Sequence, residues 1–332
     1  MFIIENYSLA VVFCFITMLC WGSWGNTQKL ASKNWRFELF YWDYVIGVLL
    51  LSLFSALTLG SFGSGGRSFI PDLMQADTSN LVSALVGGII FNLSNILLSA
   101  AIAISGMSVA FPLGVGLALI LGVVINYIST PKGDPLILFV GVGLIAVAIL
   151  LNAIAYRNMS TNKRSSTKGI IIAFIAGILM SSFYRFIAAS MDIDNFQSPE
   201  VGKMTPYTAV FVFSLGMFIS NFLINTVVMR RPFVGLPVSY KAYFSGGLKT
   251  HLIGVLGGVI WGIGNSFNLI AAGKAGAAVS YGLGQGATMV AAFWGVFIWK
   301  EFRGGPKVNN TYIGLMFLLF LAGIGLIIYA GS

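Results

Sequence analysis

The chain has 332 residues, of which 57% are hydrophobic and only 9% charged, with a mean hydropathy of +0.89 and a formal net charge of +9. Water-soluble domains carry roughly 25% charged residues, so a soluble globule is excluded and the surface must face lipid. The positive charge would suit nucleic acid only on a hydrophilic body with a basic face; here the charges fall between apolar runs, so nucleic acid is excluded as a partner.

Apolar stretches close to the length that crosses about 30 Å of hydrocarbon recur at 8–29, 42–60, 80–103, 107–127, 136–156, 168–190, 207–229, 249–271, 275–298 and 311–330. The expected fold is an all-α membrane protein of ten transmembrane helices, with no separate soluble domain.

Glu5 precedes the first span, in which Cys14 and Cys20 lie on different helix faces and read as small buried hydrophobes rather than a disulfide. Trp21, Trp24 and Gln28 then follow at three- and four-residue steps on one face. They form either two aromatic walls and an amide around a flat polar solute, or an interfacial anchor. Asp43 opens the second span between Trp42 and Tyr44. It either caps its helix at the positive dipole end or pairs with Lys29 or Lys33 in an inner gate.

The third span offers Asn92 and Asn95, each read as a solute contact or as an interhelical tie. A turn at Ser105-Gly106-Met107 makes the fourth span its antiparallel neighbour, and there Pro112, Gly114 and Gly116 loosen a helix so that freed carbonyls line a cavity. The link 157–168, with Lys163-Arg164-Ser165-Ser166-Thr167-Lys168, is a solvated inner flank. Near the outer end of the sixth span, Arg185 snorkels to headgroups, binds an acceptor-rich solute, or closes an outer gate against Asp192.

The links 191–206 and 230–248 are surface loops where Phe196, Phe233, Tyr240 and Tyr243 sit at headgroup level. The eighth span carries His251 near its inner end, then Trp261, Asn265 and Asn268, and a turn at Gly273-Lys274-Ala275 leads into the ninth. There Tyr281 and Gln285 stand one turn apart in a glycine-rich stretch, the strongest ligand-contact pair of the second half. No Asp or Glu falls in the middle third of any span, so proton coupling would use Asp43 or Glu5, and uniport stays open.

Sorting charges by side puts fourteen basic and three acidic residues in the odd-to-even links, against five basic and seven acidic on the side with the termini. The positive-inside bias then places both termini outside, periplasmic in a bacterial inner membrane. The stretch from Gly87 to Asn95 resembles that from Gly257 to Asn265, and Gly106 with Gly276, Gly114 with Gly284 and Gly116 with Gly286 keep the register. Five helices followed by five force the second copy to invert, so residues 1–156 and 157–332 read as inverted repeats that rock about a midplane site. No phosphate loop, zinc motif or clustered acid–base set is present, so the expectation is a transporter and not an enzyme, without cofactor or metal.

Trp21-Gly22-Ser23-Trp24, Tyr41-Trp42-Asp43-Tyr44, Asn92-Leu93-Ser94-Asn95 and the stretch from Gly114 to Asn126-Tyr127 resemble the ureide permease family of the drug/metabolite transporter superfamily. That resemblance implies ten helices in a five-plus-five inverted repeat and uptake of ureides such as allantoin, or nucleobases such as uracil, generally with protons. The site residues would be Trp21, Trp24, Gln28, Asn92, Asn95, Trp261, Asn265, Tyr281 and Gln285, with Asp43, Arg185 and Glu5 in coupling or gating. Plant members carry a long central cytoplasmic loop, whereas 157–168 is short, which fits a compact bacterial relative. Sugar uptake proteins of the superfamily look similar, and a monosaccharide is the rival solute; a membrane scaffold whose polar groups only tie helices is the non-transporting rival. Partners are then a small polar solute, protons and lipid, for a monomer or weak homodimer.

Overall fold

A backbone amide in hydrocarbon has no water to bond, so a chain this apolar must satisfy its backbone within helices. The computed structural model describes residues 1–31, 35–63, 65–129, 131–159, 167–300 and 302–332. Among these, ten helical spans are long and apolar enough to cross a membrane, and exposed Leu19, Leu50, Phe54, Leu150, Leu223 and Leu318 face outward as a lipid-contacting wall.

The first span is two helices, α1 (Tyr7–Ser23) and α2 (Gly25–Ala31), broken at Trp24. The second is α3 (Phe37–Leu57), followed by a short α4 (Phe69–Gln75). The next five are α5 (Thr78–Ser105), α6 (Met107–Ser129), α7 (Pro135–Met159), α8 (Thr167–Ala189) and α9 (Pro206–Arg230). A short α10 (Tyr240–Phe244) precedes the eighth span, α11 (Leu248–Ala275). The ninth is α12 (Ala277–Gln285), α13 (Ala287–Phe293) and a π turn (Trp294–Ile298), broken at Gly286; α14 (Val308–Gly331) is the tenth.

The sequence expects weakened helices at Pro112 and in the glycine-rich stretch 281–286; α6 runs through its proline, whereas the ninth span breaks at Gly286, and a further break falls at Trp24. The Trp24 break is held on both sides by tryptophan indoles from the end of the ninth span. Trp294 Nε1 donates to Ser23 Oγ at 2.9 Å and Trp299 Nε1 to Asn26 Oδ1 at 2.7 Å. The turn expected at 273–275 falls one position later, at Gly276. Gly276 and Gly106 end α11 and α5 with φ of 80° and 83°, a region open to glycine at little steric cost.

The packing repeats as the sequence does. A Cβ on Gly88 of α5 would overlap the Phe213 carbonyl oxygen of α9, and one on Gly258 of α11 would overlap that of Tyr44 of α3. Gly216 of α9 meets the Leu85 carbonyl, and Gly47 of α3 meets that of Val255. The α5–α9 and α3–α11 interfaces are thus the same contact built twice. On the outside, α7 and α14 lie against each other where Gly141 and Gly323 meet backbone to backbone.

The two ends of the bundle differ in charge as expected. Tyr7 Oη donates to the Ile328 carbonyl, Asp134 N to that of Ala330 and Asp77 N to that of Gly202, which gathers the termini and the acid-rich links at one end. At the other end Lys29 Nζ lies 4.2 Å from the Trp299 ring centroid and Lys168 Nζ donates to the Phe233 carbonyl at 2.6 Å. Lys33, Lys163, Arg164, Ser165, Ser166 and Glu301 lie outside the described residues. Phe196, expected at the headgroups, is instead buried against Gly273 of α11.

Overpacking a close contact costs about 1–3 kcal/mol. Gly88→Val and Gly258→Val are each expected to lower the melting temperature in detergent, whereas Gly143→Ala, which meets nothing within 4 Å, leaves it unchanged.

Candidate functional site

Polar side chains inside membrane helices need a partner or a wet cavity, and that divides the candidates. A central cavity of about 340 Å³ is walled by Trp21 and Trp24 of the first span, Phe91, Asn95 and Leu98 of α5, and Phe111 and Val115 of α6. Met180 and Phe183 of α8, Trp261 of α11, and Gln285 and Ala287 on either side of the Gly286 break complete it. Only about 20 Å³ of this admits the centre of a water molecule, roughly one water's worth. The cavity is therefore drawn in around its own side chains.

Its aromatic walls are nearly parallel. Trp21 and Trp261 have ring centroids 6.0 Å apart at 9°, and Phe91 lies on the other side of Trp261 at 4.3 Å and 27°. A ring sandwiched between two others needs roughly 7 Å, twice a carbon–carbon contact, so an inserted solute must part Trp21 from Trp261. Polar groups stand beside these walls. Asn95 is buried with its Nδ2 unpartnered, and Gln285 sits at the α12 end.

The remaining candidates lie elsewhere. Gln28 is outside the lining and donates through Nε2 to the Ser99 carbonyl at 3.2 Å. Asn92 ties α5 to α9 through Nδ2 and Ser220 Oγ at 3.0 Å. Asn265 is fully buried with neither amide atom partnered, yet it does not line the cavity as its repeat mate Asn95 does. Asn268 joins α11 to α12, its Nδ2 donating to the Ser280 carbonyl at 2.7 Å. Tyr281 meets the Gln285 side chain, and its Oη also lies 3.2 Å from the carbonyls of both Ala118 and Met180. Phe91, Phe111, Met180 and Phe183 were not singled out as site residues; the one signal pointing to them was that Phe91 holds the repeat position of Trp261.

Asp43 neither caps its helix nor meets Lys29. Because α3 starts at Phe37, Asp43 falls in the second turn, and Lys29 reaches over Trp299. Its Oδ1 accepts from Tyr243 Oη at 2.6 Å and His251 Nδ1 at 2.8 Å. Burial and the Asp43 carboxylate push the Tyr243 phenol well above its usual range, so it stays protonated and donating. The N-terminal acid of α3, Glu38, is closed locally by Arg36, with Nη2 2.5 Å from Oε1.

At the end that carries the termini, a vestibule opens among Asn126, Ser129, Arg185, Asp192, Asp194, Glu200 and Lys203, with about 430 Å³ open to the centre of a water molecule against about 20 Å³ in the central cavity. Arg185 is exposed there; Asp192 Oδ2 accepts from Glu200 N at 3.0 Å. Glu5 is exposed and lines neither space.

The ureide permease family profile matches residues 40–168 and 155–330. The chain belongs to the ureide permease family. Ureide permease 1 of Arabidopsis thaliana is 24% identical over 98% of both chains, and ureide permease 2 of the same plant is 26% identical over 97% of this chain and 96% of its own. A probable glucose uptake protein of Staphylococcus aureus is 24% identical over 73% of this chain and 76% of its own. A solved crystal structure covering 97% of this chain superposes with a TM-score of 0.63 at 14% identity and shares the fold. This ureide permease family member is therefore a multi-pass secondary transporter of the drug/metabolite transporter superfamily.

Since the Tyr281 hydroxyl reaches the Ala118 and Met180 carbonyls and the Gln285 side chain, Tyr281→Phe is expected to lower stability by about 0.5–1.5 kcal/mol. Thermal unfolding should register that loss.

Proposed function

We propose that this ureide permease family member imports a flat, polar, uncharged solute of the ureide or nucleobase class, by alternating access and with a proton. The observation that carries this reading is the parallel Trp21–Trp261 pair with the unpartnered Asn95 amide beside it. A planar heterocycle offers two π faces to the indoles and carbonyl oxygens to an amide donor. The plant relatives are named ureide permeases, which supports the same class.

In this reading residues 1–156 and 157–332 are the two inverted repeats, and the basic end of the bundle faces the cytoplasm. The vestibule with Arg185 then opens outward. Asp43 is the buried carboxylate available for coupling; Glu5 is too exposed and too far from the cavity walls to sense the solute.

A monosaccharide is the second reading. It is favoured by the relative named as a probable glucose uptake protein and by the amides of Asn95 and Gln285, which suit hydroxyls.

Uptake into proteoliposomes of labelled allantoin, uracil, glucose and ribose, with and without an inward proton gradient, separates them. Allantoin or uracil accumulating only with the gradient is the expected result; glucose or ribose alone would replace the ureide reading with the sugar one. Stacking of a base on an aromatic side chain contributes about 1–3 kcal/mol, so Trp21→Ala or Trp261→Ala should raise the half-saturation concentration roughly 5- to 150-fold. Trp21→Phe should retain most of the affinity, and Asn95→Ala should weaken binding by about 0.5–1.5 kcal/mol.

A further inference from the structure

The inner end of the bundle holds a polar group that the solute cavity does not use. Asp43 is 2% exposed. Its Oδ1 takes both hydrogen bonds, from Tyr243 and His251, while its Oδ2 is buried with no partner. A carboxylate oxygen left bare in an apolar setting is unfavourable, so this one is placed where an added proton relieves it. His251 links the group to water: its side chain is 22% exposed, and its ring is held edge-on by Trp35 at 5.2 Å and Tyr243 at 4.9 Å.

We propose that Asp43 and His251 form one proton-binding site that latches α3 to α11 and to α10 at the inner end of the solute path. The idea rests on the alternating-access reading for its consequence in transport, though not for its existence. Three elements meet at one carboxylate. Gly254 of α11 makes the approach this close, since a Cβ there would overlap that of Asp43.

The latch is also connected to the cavity. Tyr44, the next residue of α3, packs on Trp24 at 4.9 Å and on Trp261 at 6.4 Å, and Trp261 stands on the same helix as His251. Movement of α3 against α11 at Asp43 therefore shifts two cavity walls.

The other charged groups around the site are committed or point to water. From the start of α3, Arg36 is paired with Glu38 and bonded to the carbonyls of Val234 and Leu236. From α2, Lys29 lies over Trp299. Lys241 of α10, Lys249 of α11 and Arg230 of α9 are exposed, and the inner half of α5 carries no titratable side chain. His251, Tyr243 and the Trp35 side chain are left as the groups that answer Asp43, and of these His251 meets water.

With the carboxylate ionised, both hydrogen bonds are charge-assisted and roughly twice as strong as neutral ones. A proton on Oδ2 nonetheless leaves Oδ1 accepting from both partners and removes a buried charge that only the closed site carries. The closed latch is thus favoured at lower pH and lost as pH rises.

Hydrogen–deuterium exchange of the full chain in lipid nanodiscs reads this directly. Deuterium uptake of residues 238–253, corrected for intrinsic exchange rates, should rise as pH increases from about 5 to about 8, a range that spans the ordinary titration of histidine. Asp43→Asn, which keeps an uncharged acceptor in place, should show low uptake at every pH. A flat wild-type profile, or an Asp43→Asn variant that follows the wild type, overturns the proposal. If Asp43→Asn fails to fold, His251→Ala, which removes one of the two bonds, is expected to exchange faster than wild type at pH about 5, and unchanged exchange overturns it equally. In proteoliposomes, Asp43→Asn should lose gradient-driven accumulation of labelled allantoin or uracil while counterflow persists; retained accumulation counts against the site. A wild type that moves none of the four solutes overturns the transport reading instead, and the exchange measurement still decides the latch.

Discussion

The close approach of one helix backbone to another through glycine is the contact on which the rest of the bundle depends. Lipid tails are as apolar as leucine, so there is no hydrophobic drive between helices in the bilayer, and packing must come from direct contact. Gly88 on Phe213 and Gly258 on Tyr44 supply it twice, each contact joining the first half of the chain to the second. These contacts fix the depth at which α5 and α11 sit. They thereby bring Phe91 and Trp261, which hold equivalent positions in the two copies, face to face at the centre.

Around that centre the two copies cease to be alike, and the differences make the site. One helix turn beyond Phe91, Asn95 reaches the cavity, whereas Asn265, one turn beyond Trp261, is enclosed by protein. The fourth span passes Pro112 as an unbroken helix, while the ninth breaks at Gly286 and places Gln285 and Ala287 on the wall. A symmetric scaffold holding an asymmetric lining suits a solute that has no symmetry of its own.

Much of this was legible in the sequence. Span number, the sidedness of charge and the repeat all follow from long-range periodicities of hydrophobic, basic and glycine residues, which local errors do not erase. Trp21, Trp24, Asn95, Trp261 and Gln285 were readable as polar or aromatic groups on helix faces, and all five line the cavity. Tyr281 and Gln285 were readable as facing the same way, and their side chains do meet, while the Tyr281 hydroxyl also reaches the backbones of α6 and α8. The helix break at Trp24 was not legible, because it is stabilised by Trp294 and Trp299 from the far end of the chain. Asp43 was assigned to nearby lysines for a similar reason. Its true partners are remote in sequence, and nothing within ten residues of Asp43 announces them.

That remoteness bears on how the protein is made. Arg36 and Glu38 are two residues apart and can neutralise each other as soon as both leave the ribosome. Asp43 must wait for Tyr243, 200 residues later, and for His251, 208 residues later. At about 5–20 residues per second that interval is roughly 10–40 s, during which α3 sits in the membrane with an unanswered carboxylate. Its place near the inner end of α3, within reach of the headgroup region, makes the delay tolerable. The contact of α3 with α10 and α11 at Asp43 is accordingly made only after more than half of the chain has been added beyond α3, and a chain stopped before α10 would leave that carboxylate without either partner.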